Sequence, residues 1–192
     1  LYQYLKQKGK DVLATKEPGG TEIGAEIRRM LVCGDKDKLD AVAEALLYFV
    51  DRRVHLVQKI WPALDKGTWV LSDRFADSTF AYQCYGYDGR VSKEMLACLY
   101  QIAVGDFEPD LTIILDLDPE IGLARSYAKA ENMSVKELRF ESRELEFHQN
   151  LRRGFLEIAA AAPQRCVVLD ANKSVEVLHR DIVKIVDERF GA

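Results

Sequence analysis

The chain has 192 residues, 48% apolar and 30% charged, with a net charge of −4. That is the composition of one globular domain with a full core. A net acidic balance argues against a nucleic acid or a membrane surface as the main partner while allowing a local basic site, and no apolar stretch approaches the ~20 residues of a span.

The chain opens on Leu1, Tyr4 and Leu5, an amphipathic helical pattern stopped by Lys8-Gly9-Lys10. There is no initiating methionine and no charged-then-apolar leader order. A helix without a beginning predicts an element upstream. Four short, almost continuously apolar runs follow: Val12–Thr15, Trp69–Ser72, Leu111–Leu115 and Cys166–Leu169. They are expected to be strands covered on both faces. Helical patterns separate them. Ile23, Ile27, Met30 and Leu31 share one face, and a longer helix is predicted from about 39 to 64. Further helices are expected around Met95–Ile102, from Pro119 to Lys129, from about 136 to 162, and from Ser174, as N-cap, to Phe190. Residues 129–137 are polar and could form a mobile lid. Alternating strands and helices predict a doubly wound parallel α/β sheet, with ligands at the strand C-termini.

Those C-termini carry the chemistry. The first strand runs into Lys16-Glu17-Pro18-Gly19-Gly20-Thr21, a rigid turn that presents Glu17. The second runs into Asp73-Arg74. Asp73 there is suited to Mg²⁺, through water, and Arg74 to an incoming phosphate. Ser78, Thr79, Tyr82 and Gln83 then form a hydroxyl and amide patch at helical spacing, suited to a sugar and a base edge. Tyr48 and Arg52 lie four apart on the 39–64 helix, so a ring and a guanidinium share one face and could stack on a base and bond its carbonyl. Arg125, Arg139 and Arg143 are lid candidates, because arginines closing over a migrating phosphoryl group lower the barrier. His55, His148 and His179 lack ligand spacing and are expected at the surface or in packing. Cys33, Cys84, Cys98 and Cys166 are scattered, as for reduced thiols in a cytoplasmic protein.

Taken in order, several segments resemble the bacterial thymidylate kinase family along essentially the whole chain. They are Glu17–Thr21 with Gly24 to Arg28, Glu44–Arg52, Asp73–Phe75 with Ser78-Thr79 and Ala81-Tyr82-Gln83, Gly105–Leu111, and Arg139-Phe140-Glu141 with Phe147-His148. The resemblance implies a P-loop NTPase-like fold, phosphoryl transfer from ATP to dTMP with Mg²⁺, and a homodimer, presumed to pair through the helices around 39–64 and 92–104. It implies that Arg74 and Arg28 belong to the dTMP pocket, with Arg74 on the monophosphate and Arg52 and Gln83 on the thymine edge. Tyr48 stands at the stacking position, where Phe is usual. Thr79 also faces the base, Tyr82 lies against the sugar, and Glu17 and Pro18 line the sugar and phosphate end. Arg139 is implied as the lid arginine, serving catalysis and ATP together with Arg125. Leu138 stands where an aspartate usually precedes that arginine. No residue run matches Gly-x-x-x-x-Gly-Lys-[Ser/Thr], so the phosphate loop and its central strand are expected upstream of Leu1. Their absence is expected to leave open strand ladders. Two other readings remain at this point: a dTMP-binding module without catalysis, and a deoxynucleoside kinase.

Overall fold

A computed structural model describes residues 1–130 and 139–191. Helix α1 (Tyr2–Gln7) ends on Lys8 and a left-handed Gly9, then β1 (Val12–Thr15) begins. Helix α2 (Glu22–Val32) starts where the Thr21 hydroxyl accepts the Gly24 N–H. Helix α3 (Ala41–His55), capped by the Asp40 carboxylate, widens into a π-helical stretch, Leu56–Ile60, and closes on α4 (Trp61–Leu64). The predicted helix 39–64 is therefore continuous but wound in two ways. After β2 (Trp69–Ser72), helix α5 (Ala76–Thr79) passes into a second π-helical stretch, Phe80–Gly86. Then come α6 (Lys93–Ala103), β3 (Thr112–Asp116), α7 (Pro119–Ala130), α8 (Leu145–Ala161), β4 (Cys166–Asp170) and α9 (Val175–Phe190), the last capped by Ser174.

All strand pairing among the described residues is parallel. β1 pairs with β2 in the register Thr15↔Ser72, and β3 pairs with β4 in the register Asp116↔Asp170. Among the described residues the two pairs form separate two-stranded sheets, not one continuous sheet. This corrects the expectation of strands covered on both faces. Only Val12, Ile114 and Cys166 are buried among the strand residues, while Leu115 is 50% and Val168 41% exposed. A two-stranded ladder has an open edge on each strand and cannot enclose its own side chains.

The main core lies between helices instead. Ala45, Phe49, Leu56 and Ile60 from α3 and its π extension meet Ala81 and Cys84, Leu96 from α6, and Phe147 and Leu151 from α8. Smaller clusters seat α9 on the first sheet through Val186, Leu5 and Val12, and α8 on the second through Ile114, Ala159 and Cys166. The long helix expected from about 136 begins only at Leu145, because residues 139–144 make turns. The lid segment 129–137 and Leu138 fall almost wholly outside the described residues.

Candidate functional site

The β1–β2 register sets the site. Thr15 and Ser72 are partners, so the residues that follow each strand emerge side by side. The Glu17 N–H donates to Asp73 Oδ1 at 2.9 Å, which ties the two strand exits together. The Glu17 carboxylate turns inward and is 2% exposed. Its Oε2 accepts from Arg52 Nε at 2.9 Å, and its Oε1 meets His55 Nδ1 at 2.9 Å. His55 Nε2 joins the Thr15 hydroxyl at 2.7 Å. His55 is thus a fully buried bridge between the turn and the helix, more than the packing residue its spacing suggested. A Cβ on Gly20 would lie 2.4 Å from His55 Nε2, so only glycine fits there.

Asp51 performs a parallel task. Its Oδ1 accepts the Gly19 N–H at 3.0 Å, while Oδ2 is buried without a partner. Burial pushes its carboxyl up to about 6 from 3.8, with the Gly19 N–H bond pulling the other way. A carboxyl that holds its proton more tightly when folded contributes stability that is fully present below about pH 4 and is lost as pH rises through 6. Urea unfolding of the wild type and Asp51→Asn at pH 4.5, 5.5 and 7 is expected to show the wild type losing on the order of 2 kcal/mol relative to the variant. A constant difference across that range would contradict this.

Arg28 donates from Nη1 to the Pro18 carbonyl at 3.0 Å, placing it on the same turn. Pro18 itself is buried and follows Glu17 through a cis peptide bond.

The candidate base site lies where two helix faces meet. Glu44, Tyr48 and Arg52 recur at i, i+4 and i+8 on α3, and Thr79 and Gln83 recur at i and i+4 opposite them. Arg52 Nη2 donates to the Thr79 hydroxyl at 3.0 Å, and Gln83 Nε2 donates to Glu44 Oε2 at 2.9 Å. These are two rungs, and Tyr48 stands between them on α3. Burial, with Tyr82 nearby, raises the Tyr48 phenol well above its usual range, so it stays neutral. Each rung keeps one unused polar atom. Arg52 Nη1 and Gln83 Oε1 are both buried with no partner. Buried polar atoms in a native fold are normally paired, and orphans signal a missing partner. Here the orphans are one donor and one acceptor.

The other pair of that patch, Ser78 and Tyr82, faces Arg74. Arg74 donates to the Ser78 hydroxyl at 3.3 Å, and the Tyr82 hydroxyl lies 3.5 Å from its Nη2. Its guanidinium stands 5.3 Å from the Tyr82 ring centroid and is otherwise exposed at the end of β2. The structure therefore gathers Glu17, Pro18, Arg28, Tyr48, Arg52, Asp73, Arg74, Ser78, Thr79, Tyr82 and Gln83 around α3, α5 and two strand exits.

Arg139 differs from its expected place. It is 2% exposed, with Nη2 2.6 Å from Glu44 Oε1. Its nitrogens also donate to the carbonyls of Leu31, Asp35, Lys36 and Leu39. It staples the α2–α3 connection behind Glu44, so in this conformation its guanidinium is largely committed to the fold. Arg143 is held similarly by Asp37 and the Tyr87 hydroxyl. Arg125 donates to the Ala171 carbonyl just past β4, away from the candidate base site. A groove of about 540 Å³ between α7 and α8 lies elsewhere, walled in part by Asp118, Leu145 and Arg152. Among the described residues no three His, Cys, Asp or Glu side chains cluster as a metal site. Asp73 Oδ1 accepts the Glu17 N–H, and among the described residues no bond is made to Oδ2, which fits a Mg²⁺ that retains most of its water and phosphate ligands.

Parallel strands whose exits present an acid-arginine pair beside the Tyr82 ring are the arrangement of a nucleotide-binding α/β phosphotransferase. A family model described as thymidylate kinase matches residues 1–182. Thymidylate kinase of Magnetococcus marinus is 45% identical over 190 residues, covering 99% of this chain and 88% of that protein. That of Nitratidesulfovibrio vulgaris is 44% identical over 193 residues, covering 100% and 85%. The crystal structure of thymidylate kinase from Ehrlichia chaffeensis superposes with a TM-score of 0.72 at 29% identity, covering 96% of this chain and 86% of that one. The chain belongs to the thymidylate kinase family. It is accordingly a nucleoside monophosphate kinase with the P-loop NTPase fold.

Proposed function

We propose that this protein phosphorylates dTMP with ATP, giving dTDP and ADP, and that the site between α3 and α5 receives the thymine ring. The observation that carries this is the orphan pair. Thymine shows one acceptor, O4, beside one donor, N3–H. Arg52 Nη1 and Gln83 Oε1 are the complementary donor and acceptor, both dry and both unused. Tyr48 supplies the ring against which the base lies, and Thr79 holds Arg52 at the angle required. Tyr82 lies beside the sugar. Arg74, exposed and only lightly held, is the group for the 5′-phosphate, with Arg28 and the Glu17–Pro18 turn at that end. Arg125 is assigned to ATP.

Because the acceptor is already an oxyanion, no side-chain base is required, and positioning supplies most of the rate. When bound, Mg²⁺ neutralises phosphate charge. This chain's contribution is Asp73, fixed by the Glu17 N–H so that Oδ2 stays available to hold it. ADP release measured with dTMP and with thymidine tests the assignment: dTMP is expected to be the far better acceptor. Equal rates would favour a deoxynucleoside kinase, and heat of dTMP binding without ADP release would favour a module without catalysis.

We also propose a homodimer through α2, α3 and α6. Leu46 and Val50 on α3 and Val57 on its π-helical extension are exposed, as are Ile23 and Met30 on α2 and Ile102 on α6. Exposed apolar side chains in that density are characteristic of an interface. Val50→Glu is expected to sediment as a monomer where the wild type sediments as a dimer; a monomeric wild type would contradict it. No helix among the described residues is long and apolar enough to cross a membrane, and a cytoplasmic location agrees with the unpaired cysteines.

A further inference from the structure

We propose that Glu44 is a specificity-positioning residue, which fixes the Gln83 amide so that the site between α3 and α5 admits pyrimidines bearing an N3–H and turns away cytosine. This rests on the reading of that site as the base site.

A glutamine amide has two nearly isosteric ends, one donor and one acceptor, and its neighbours decide which way it faces. Gln83 is completely buried, so water cannot arbitrate. On one side its Nε2 meets Glu44 Oε2 at 2.9 Å. Glu44 is completely buried as well, and its other oxygen accepts from the Tyr87 hydroxyl at 2.7 Å and meets Arg139 Nη2 at 2.6 Å. Both oxygens therefore act as acceptors. Turning the Gln83 amide over would set its carbonyl oxygen against Glu44 Oε2, acceptor to acceptor, in a dry site, and would leave Nε2 unpaired. Glu44 thus commits the Nε2 end of the amide to itself and leaves Oε1 as the orphan acceptor.

The chemical consequence is selective. Thymine and uracil offer N3–H to that oxygen and O4 to Arg52 Nη1. Cytosine offers a bare N3 lone pair and an amino group, so it mismatches at both atoms. If the amide were free to turn, Gln83 could donate to the cytosine N3 and half of the discrimination would vanish. The device does not separate thymine from uracil, whose edges are alike at N3 and O4. Arg139, 2.6 Å from Glu44 Oε1, holds the carboxylate in place from behind.

The test is calorimetric titration of the full chain with dTMP and with dCMP, for the wild type and Glu44→Gln. The introduced amide can donate to Gln83 Oε1 and so permits the turned orientation. The ratio of dTMP to dCMP affinity is expected to fall at least ~10-fold. A ratio within about twofold of wild type, with both affinities lowered together, would show a merely structural role and overturn the proposal. Tyr87→Phe, which keeps the Glu44–Gln83 bond, is expected to leave the ratio within about twofold; a fall matching that of Glu44→Gln would also overturn it. Should Glu44→Gln not fold, exchange of the Gln83 side-chain amide protons in ¹⁵N-labelled wild type reads the same bond. Slow exchange in the free protein is expected, and exchange at the rate of an exposed amide would overturn the proposal. A wild type that binds dTMP and dCMP equally would instead sink the base-site reading itself, before Glu44 enters.

Discussion

Arg52→Ala is expected to lower the melting temperature by about 10 °C and to weaken dTMP far more than ATP. The two effects have separate origins. Glu17 and Arg52 form an ion pair with both side chains 2% exposed. Removing one partner of a buried pair strands the other charge, which costs about 3–5 kcal/mol. That is a large share of the ~5–15 kcal/mol that holds a domain together, and in a chain of this size each kcal/mol moves the melting point by about 2–4 °C. His55 remains on Glu17 Oε1 but cannot replace the guanidinium at Oε2. The loss of affinity comes from Nη1, the orphan donor. A paired replacement, Glu17→Gln with Arg52→Met, separates the two, because substituting both members of a buried pair is far cheaper than breaking it. The double variant is expected to regain most of the melting temperature and none of the dTMP affinity. Wild-type affinity in it would remove Arg52 from the base site.

Arg74→Ala is expected to do the reverse: little change in stability and a large loss of dTMP. Arg74 is exposed, and its hold on Ser78 and Tyr82 is loose, at 3.3 and 3.5 Å. A surface change of that kind stays within about 0.5 kcal/mol. A bidentate guanidinium–phosphate contact contributes about 1.5–3 kcal/mol for each hydrogen bond. At ~1.4 kcal/mol per tenfold, dTMP affinity should fall by roughly two orders of magnitude. Thymidine, which lacks the phosphate, should bind Arg74→Ala as well as it binds the wild type. Calorimetric titration with both ligands decides, and parallel losses for the two would show that Arg74 serves the fold or the base instead.

Most of the fold is legible in the sequence, because its signals are local. The four apolar runs match β1 to β4 to within a residue at each end. Ser174 caps the last helix as its hydroxyl announces, and Thr21, Asp40 and Ser92 cap three others in the same way. The positions of the candidate site residues were legible for a related reason. Tyr48 and Arg52 share a helix face by spacing alone, and the acid-arginine pair follows directly from a strand end.

What sequence could not supply was partnership across elements. Glu44 continues the Tyr48–Arg52 stripe one turn earlier, and that signal was present. Its meaning appears only when the Phe80–Gly86 stretch brings Gln83 against it. His55 has no metal-ligand spacing, and its role depends on the β1 exit lying above α3. Arg139 looked available because arginines outside strands usually are. Its burial follows from four carbonyls in the loop between α2 and α3, whose path no local pattern encodes. The two π-helical stretches likewise have no periodic signature distinct from α-helix.

The measurement that bears most directly on the central claim is a crystal structure with dTMP bound. The expected result is a thymine ring beside Tyr48, with O4 within ~3.2 Å of Arg52 Nη1, N3 within ~3.2 Å of Gln83 Oε1, and the phosphate on Arg74. A nucleotide bound elsewhere, with Arg52 Nη1 and Gln83 Oε1 still unpaired between α3 and α5, would contradict it.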